Sequence, residues 1–258
     1  MTLPLRPELL AEIAACAARV AAQGWAEAGA GNLSLLVPPG RLTRPVSDGE
    51  RFEPGWPADY PRQLPPGHLL VVSAAGAPMR ALAAEPAAHL ALLGEGPRGL
   101  FRLRGTPPPT SELACHFAVH ARRGRPGALL HAHADFLIAL SLLPGLAADG
   151  ALESALLGLM PETAAMLPGG FVRLRPAAPG SAALGLASAA ALVEGGASAL
   201  VWERHGALAL GESLGPALDR LEVLEKAARI WWLARRTGED PLDARVPMGP
   251  DPPTTNLK

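Results

Sequence analysis

The feature that most constrains this 258-residue chain is the run Gly127-Ala128-Leu129-Leu130, which ends in His131-Ala132-His133. A short apolar run of this kind reads as a buried strand. Side chains two apart on a strand share a face, so both imidazoles can approach one ion. Neutral imidazole is a good zinc ligand, and a catalytic zinc usually takes three protein ligands with one position open. A third ligand is then wanted from elsewhere in the chain, and His205, within Trp202-Glu203-Arg204-His205-Gly206, offers one. His116 and His120 are rivals, because they share a helix face with Glu112 at spacings of four and eight. Thr110-Ser111-Glu112 also reads as a plain helix start, with Thr110 or Ser111 as N-cap and the carboxylate favoured by the helix dipole.

The rest of the chain punctuates into alternating elements. Residues 7–23 form an amphipathic helix with Leu9, Ile13, Cys16 and Val20 on one face, and Gly24 ends it. Gly29-Ala30-Gly31-Asn32 is a turn into a strand over 33–37. Residues 38–67 are a Pro/Gly-rich excursion that Trp56 and Tyr60 pin to the surface. Strands are expected over 68–73, 100–104 and 171–174, and helices over 83–94, 111–122 and 134–143. The stretch 144–180 reads as loop-rich. A helix over 182–194 stops at Gly195-Gly196. Strands 199–202 and 207–210 pair with His205 at their turn. A long helix over 213–236 has Ser213 as N-cap and Pro216 in its first turn. The Pro-rich stretch 241–258 reads as extended. With no repeat and no clear linker, 1–258 reads as a single domain, a layered α/β sandwich.

Charge and residue usage narrow the chemistry. The formal net charge is −1 with both signs interspersed, so nothing points to nucleic acid or an anionic membrane as partner. No apolar run is long enough to span a bilayer, and the N-terminal residues lack the layout of a signal peptide, which makes a cytoplasmic protein the expectation. Cys16 and Cys115 are too few for a disulfide framework. Only two lysines, Lys226 and Lys258, stand against 21 arginines. Neither is a convincing Schiff-base residue, so carbonyl chemistry here calls for a metal as electrophile.

Gly211-Glu212-Ser213-Leu214-Gly215 matches the G-x-S-x-G nucleophile elbow between a strand and a helix. In that fold the histidine follows the nucleophile, whereas all seven histidines of this chain precede Ser213. A serine hydrolase is therefore the weaker reading.

Several blocks together resemble one family. Pro109-Thr110-Ser111-Glu112-Leu113 with His116-Phe117, the H-x-H-x-x-x-L-I-A-L run from His131, and His205-Gly206 are similar to the class II aldolase/adducin family. So are residues 24–35, 70–80 and 85–90, in the same order. The resemblance implies three αβα layers around a largely antiparallel sheet, and a homotetramer with sites between subunits. It implies Zn²⁺ held by His131, His133 and His205, polarising a ketose carbonyl and stabilising the enediolate left by C–C cleavage. Glu112 becomes the acid/base, which calls for a carboxyl raised in pKa by a partly desolvated pocket. Asn32 and Ser111 orient a sugar phosphate, with Gly31 and Gly76 keeping backbone N–H groups open. Cleavage of a ketose 1-phosphate to dihydroxyacetone phosphate and an aldehyde is the implied reaction. Dehydratases and epimerases of the same ligand set, and non-catalytic adducin-like scaffolds, are the alternatives. One departure stands out. Aldolases of the family carry Asn where this chain has Gly29, and Gly-Ser-Gly-Lys where it has Ala74-Ala75-Gly76-Ala77, so three phosphate-holding side chains are missing.

Overall fold

Short apolar runs bounded by Gly and Pro become the strands of a single sheet in the computed structural model, which describes residues 3–236. The strands are β1 (Asn32–Val37), β2 (Glu50–Arg51), β3 (Leu69–Ser73), β4 (Leu90–Gly96), β5 (Gly99–Arg102), β6 (Gly127–Ala132), β7 (Phe171–Leu174), β8 (Ala199–Trp202) and β9 (Gly206–Gly211). Their spatial order is β2-β5-β4-β3-β1-β6-β9-β8-β7. Every pairing is antiparallel except β7 with β8. The expectation of a largely antiparallel sheet in an α/β protein is met.

The helices are α1 (Pro7–Gln23), α2 (Met79–Ala84), α3 (Leu113–Arg123), α4 (Asp135–Ser141), α5 (Ala151–Leu157), α6 (Pro161–Met166), α7 (Ala182–Ala189) and α8 (Leu214–Arg235). Alternate strand residues sort into different cores. Leu33, Leu35, Leu69, Val71, Leu92 and Leu130 pack with Leu9 and Ile13 of α1, Leu137 of α4 and Leu221 of α8. Their neighbours Leu36, Leu70, Val72 and Leu93 pack with Leu113 and Phe117 of α3. Leu129, Leu200 and Leu208 pack with Ala118 of α3 and Leu184 of α7. Both faces of the central strands are therefore dry, which explains runs without polar alternation.

That dryness misleads the sequence reading once. Residues 83–94 read as a helix, yet the helix ends at Ala84 and Leu90–Gly96 is a strand registered between β3 and β5. Glu85 precedes Pro86 and takes a non-helical backbone (φ −135°, ψ 67°), as the clash with a proline ring dictates. Residues 151–157 and 161–166 were expected as loop and are short helices. The first starts after Gly150, and the second has Pro161 in its first turn. The helix expected over 182–194 turns π-helical after Ala189. Residues 237–258, including the segment read as extended, lie outside the described residues.

Trp56 and Tyr60 do pin their excursion. The Trp56 ring lies 4.6 Å from Tyr60 and 4.9 Å from Phe117, between centroids, and the Tyr60 hydroxyl donates to the Ala114 carbonyl on α3. The buried Glu225 of α8 accepts from Phe136 N–H (2.9 Å) and Leu137 N–H (3.0 Å). A carboxylate there satisfies donors that the first turn of α4 leaves orphaned, and so anchors the helix that begins two residues after His133.

Candidate metal centre

Three chain segments converge on the site. His131 is the penultimate residue of β6 and is 1% exposed at its side chain, and His133 lies just beyond the strand, its N–H donating to the Trp25 carbonyl at 2.9 Å. His205 comes from the turn between β8 and β9. That turn is set by Arg204 at φ 65°, an uncommon backbone for a non-glycine residue, with Arg204 N–H donating to Ser141 Oγ at 3.0 Å. The Trp202 ring stacks on His205, with centroids 5.2 Å apart and planes at 22°. Gly206 supplies the clearance. A Cβ there would stand 2.6 Å from the Ala132 carbonyl oxygen and 2.9 Å from the His131 ring.

The three imidazoles bring one ligand nitrogen each to within 4.8 Å of one another. His131 Nδ1 lies 2.9 Å from the Ala207 carbonyl oxygen. A carbonyl only accepts, so this nitrogen carries the hydrogen and Nε2 keeps its lone pair. That buried Nε2 has no hydrogen-bond partner. His133 Nδ1 sits 2.7 Å from Glu27 Oε1, which turns its Nε2 into an acceptor in the same way. A histidine fixed by a carbonyl or carboxylate on one nitrogen and bare on the other is the usual state of a metal-bound imidazole. The donor set fits a divalent ion on these grounds.

Glu112 closes the cluster. Its backbone holds the N-cap position of α3 without a side-chain cap, and the helix starts at Leu113 rather than 111. The carboxyl turns inward instead, with Oε1 3.0 Å from His205 Nε2 and Oε2 3.5 Å from His131 Nε2. Asn32 Nδ2 donates to Oε2 at 3.0 Å. Burial pushes this carboxyl up, but the His131 and His205 imidazoles and the Asn32 amide outweigh it and hold Glu112 well below the usual carboxylate range. The raised pKa expected of it is thus not found in this arrangement, because the pocket that desolvates Glu112 is built from groups favouring its anion. Burial likewise takes His131 down to about 4, against the pull of Glu112.

The other predicted residues divide. Gly31 (φ 72°) and Gly76 (φ 66°) take backbone that favours glycine. Gly29 (φ 84°) abuts the second of these turns, for a Cβ on it would stand 3.0 Å from the Gly76 carbonyl oxygen. A side chain at 29 therefore needs that carbonyl to give by a few tenths of an ångström. Ser111 is exposed beside the buried Glu112. His116 and His120, the rival ligands, are outside the cluster and fully buried. Burial, foremost, takes His116 down to about 4 and His120 well below its ordinary value.

Sequence reasoning missed Glu27, Trp202 and the role of Gly206. Only the last had a visible signal, the His205-Gly206 pair. The hydrolase reading loses its geometry. Ser213 takes extended backbone (φ −148°, ψ 179°), not the strained turn of an elbow. It lies past the far end of β9 from His205, about 20 Å along a six-residue strand. Nor does its side chain cap α8 as expected; Glu12 Oε1 takes the Leu214 N–H at 2.9 Å.

An α/β sheet protein with a three-imidazole cluster beside a buried carboxylate is the class defined so far. Residues 11–232 match the family described as Class II Aldolase and Adducin N-terminal domain, and the chain belongs to that family. The rhamnulose-1-phosphate aldolase of Shigella boydii serotype 4 is 29% identical over 220 residues, 81% of this chain and 78% of that one. The crystal structure of a sugar-phosphate aldolase from Thermotoga maritima is 27% identical, with a TM-score of 0.71 over 91% of this chain and 97% of that one. L-fuculose-1-phosphate aldolase from Thermus thermophilus is 26% identical, with a TM-score of 0.61 over 92% of this chain and 99% of that one. The chain is an enzyme of the aldolase (lyase) type.

The cluster carries a direct test. Purified protein is expected to hold about one divalent metal ion per chain at neutral pH. His131→Ala, His133→Ala and His205→Ala should each lose most of it by elemental analysis, while folded His116→Ala and His120→Ala retain it. Full metal in all three cluster variants would place the ion elsewhere.

Proposed function

We propose that this enzyme is a zinc-dependent aldolase that cleaves a ketose, most simply a ketose 1-phosphate, into dihydroxyacetone phosphate and an aldehyde. The observation that carries this reading is the convergence of the His131, His133 and His205 nitrogens within 4.8 Å, with Glu112 touching two of those residues. A divalent ion held there, Zn²⁺ being suited to an all-imidazole set, supplies a Lewis acid for the substrate carbonyl. Glu112 is the proton carrier. In the cleavage direction its carboxylate accepts the proton of the hydroxyl that becomes the aldehyde oxygen as the C–C bond breaks, and gives a proton to the carbon left carrying the electron pair. Ser111 and the open backbone at Gly76 face the substrate, the buried Gly31 shapes the turn into β1 beside the His131 carbonyl, and Asn32 orients Glu112. Of the two lysines, Lys226 lies on α8 in a groove with Met160, Glu162 and Asp219, and Lys258 lies outside the described residues.

We also read the chain as one domain, a three-layer αβα sandwich, working as a homotetramer in the cytoplasm. Helices packed on both sheet faces support the layers. For assembly the support is the end of α8, where Trp231 is 7% exposed but Ile230, Trp232 and Leu233 are 37%, 36% and 51% exposed. A chain that sediments as a monomer at micromolar concentration overturns the tetramer.

Aldehyde release from a panel of free and phosphorylated ketoses tests the reaction and separates it from dehydration or epimerisation. Glu112→Gln is expected to retain metal and lose turnover by roughly two to four orders of magnitude. Near wild-type turnover would leave the carboxylate without a catalytic role.

The phosphate is the sharpest point. Gly29, Ala75 and Ala77 offer no side-chain donor, and each charge-assisted hydrogen bond is worth roughly 1.5–3 kcal/mol. The substrate therefore either binds its phosphate through a relocated site using arginine, Arg80 at the start of α2 being the nearest in sequence, or carries another polar group. The readout is kcat/KM for rhamnulose 1-phosphate against free rhamnulose. A preference above about 1,000-fold, unchanged in Arg80→Ala, needs roughly 4 kcal/mol of phosphate contact and sinks both versions.

A further inference from the structure

Behind Glu112 runs a line of polar side chains that the reaction as described does not use. On β1, Asn32 and Ser34 are two residues apart and share a face, about 7 Å along the strand. On α3, Glu112, His116 and His120 stand four apart, about 6 Å per step along a helix. The two spacings nearly match, so the helix stripe lies along the strand stripe in one continuous hydrogen-bonded line. Asn32 Nδ2 reaches Glu112 Oε2 at 3.0 Å, and His116 Nε2 lies 2.5 Å from Asn32 Oδ1. Ser34 Oγ is 2.7 Å from His116 Nδ1 and 2.9 Å from His120 Nε2. Asn32 and Glu112 are each 6% exposed, and Ser34, His116 and His120 are 0% exposed.

Such a line is a poor way to build a core. Buried polar groups cost free energy unless every one is satisfied, and apolar side chains of similar volume would pack there without that demand. His120 Nδ1 is in fact buried without a partner. Rules of packing broken in this manner are expected where function requires it.

The chemistry of each group fixes the order of the hydrogens. The Asn32 amide nitrogen faces Glu112 Oε2 and its Oδ1 faces His116. That oxygen only accepts, so His116 carries its hydrogen on Nε2. His116 Nδ1 is then a bare acceptor, and the Ser34 hydroxyl must donate to it. Ser34 Oγ in turn accepts from His120 Nε2–H, which leaves His120 Nδ1 as the lone pair, the one atom of the line with no partner. One arrangement of hydrogens satisfies every link, and it ends on Glu112 Oε2.

We propose that Ser34, His116 and His120 are positioning residues that lock the Asn32 amide toward Glu112 Oε2 and so fix the orientation of the carboxylate beside the histidine cluster. This rests on the acid/base reading of Glu112. The line sets where the carboxylate points, and a misplacement of about 1 Å in such a group can cost about a hundredfold in rate.

The test uses the full-length, metal-loaded enzyme and whichever of rhamnulose 1-phosphate and free rhamnulose the wild type cleaves. Ser34→Ala and His120→Phe are expected to lower kcat roughly tenfold to a hundredfold, with KM and metal content within about twofold. Ser34→Thr, which keeps the hydroxyl, should restore most of the loss. Independently of activity, ¹⁵N-histidine NMR should find His116 and His120 neutral at pH 7, each with its hydrogen on Nε2. A His116 bearing hydrogen on Nδ1 reverses the order and overturns the proposal, even if the variants fail to fold. If Glu112→Gln is inactive while folded Ser34→Ala and His120→Phe keep wild-type kcat, the positioning role alone is wrong. If Glu112→Gln keeps turnover, the acid/base reading falls and this role with it.

Discussion

Nearly every distance in the site depends on β6 being held between β1 and β9. Pairing with β9 sets Ala207 where its carbonyl oxygen fixes the His131 ring, and it delivers the turn bearing His205 to the same end of the sheet. Pairing with β1 puts Asn32 opposite His131, which brings the amide that holds Glu112 alongside the first imidazole. A register shift of one residue on either side would turn these groups to the opposite face. The dry packing on both faces of the central strands makes such a shift costly, so the hydrophobic core and the precision of the polar cluster have the same origin.

The polar parts are placed by local devices of modest size. Arg204 in left-handed backbone tightens the turn before β9, and Gly206 leaves room for two imidazoles beside it. Glu225 ties α4 to α8 next to His133. A Cβ on Gly29 would stand 3.0 Å from the Gly76 carbonyl oxygen, so the first of these two turns has little room for a side chain. Each device acts on orientation rather than on affinity, and together they leave the three ring nitrogens facing inward.

Much of this was legible in the sequence. His131, His133 and His205 each stand at an element end marked by an apolar run or a glycine, and chain punctuation of that kind survives without knowledge of the fold. The strands around them read correctly for the same reason. β4 did not, because Leu90-Ala91-Leu92-Leu93 is buried on both faces and such a run has no period to separate strand from helix. Glu27 was invisible because its contact with His133 joins distant segments, and Trp202 because a spacing of three across a turn does not show that its ring stacks on His205. His116 and His120 were seen as sharing a face with Glu112, but spacing alone does not say that the face turns to β1 and the core. The direction of the Glu112 pKa shift was missed on similar grounds, since it depends on which groups do the burying.

The wide separation of these partners along the chain bears on how the protein reaches its native state. His131 meets Ala207 across 76 residues, and Asn32 meets Glu112 across 80. No segment of local sequence contains the centre, so it comes into being only after β1, β6 and β9 have aligned. Contacts of such long range carry a loop-closure cost and form slowly. The cluster therefore takes shape at a late stage of folding, and its geometry depends on the integrity of the whole sheet.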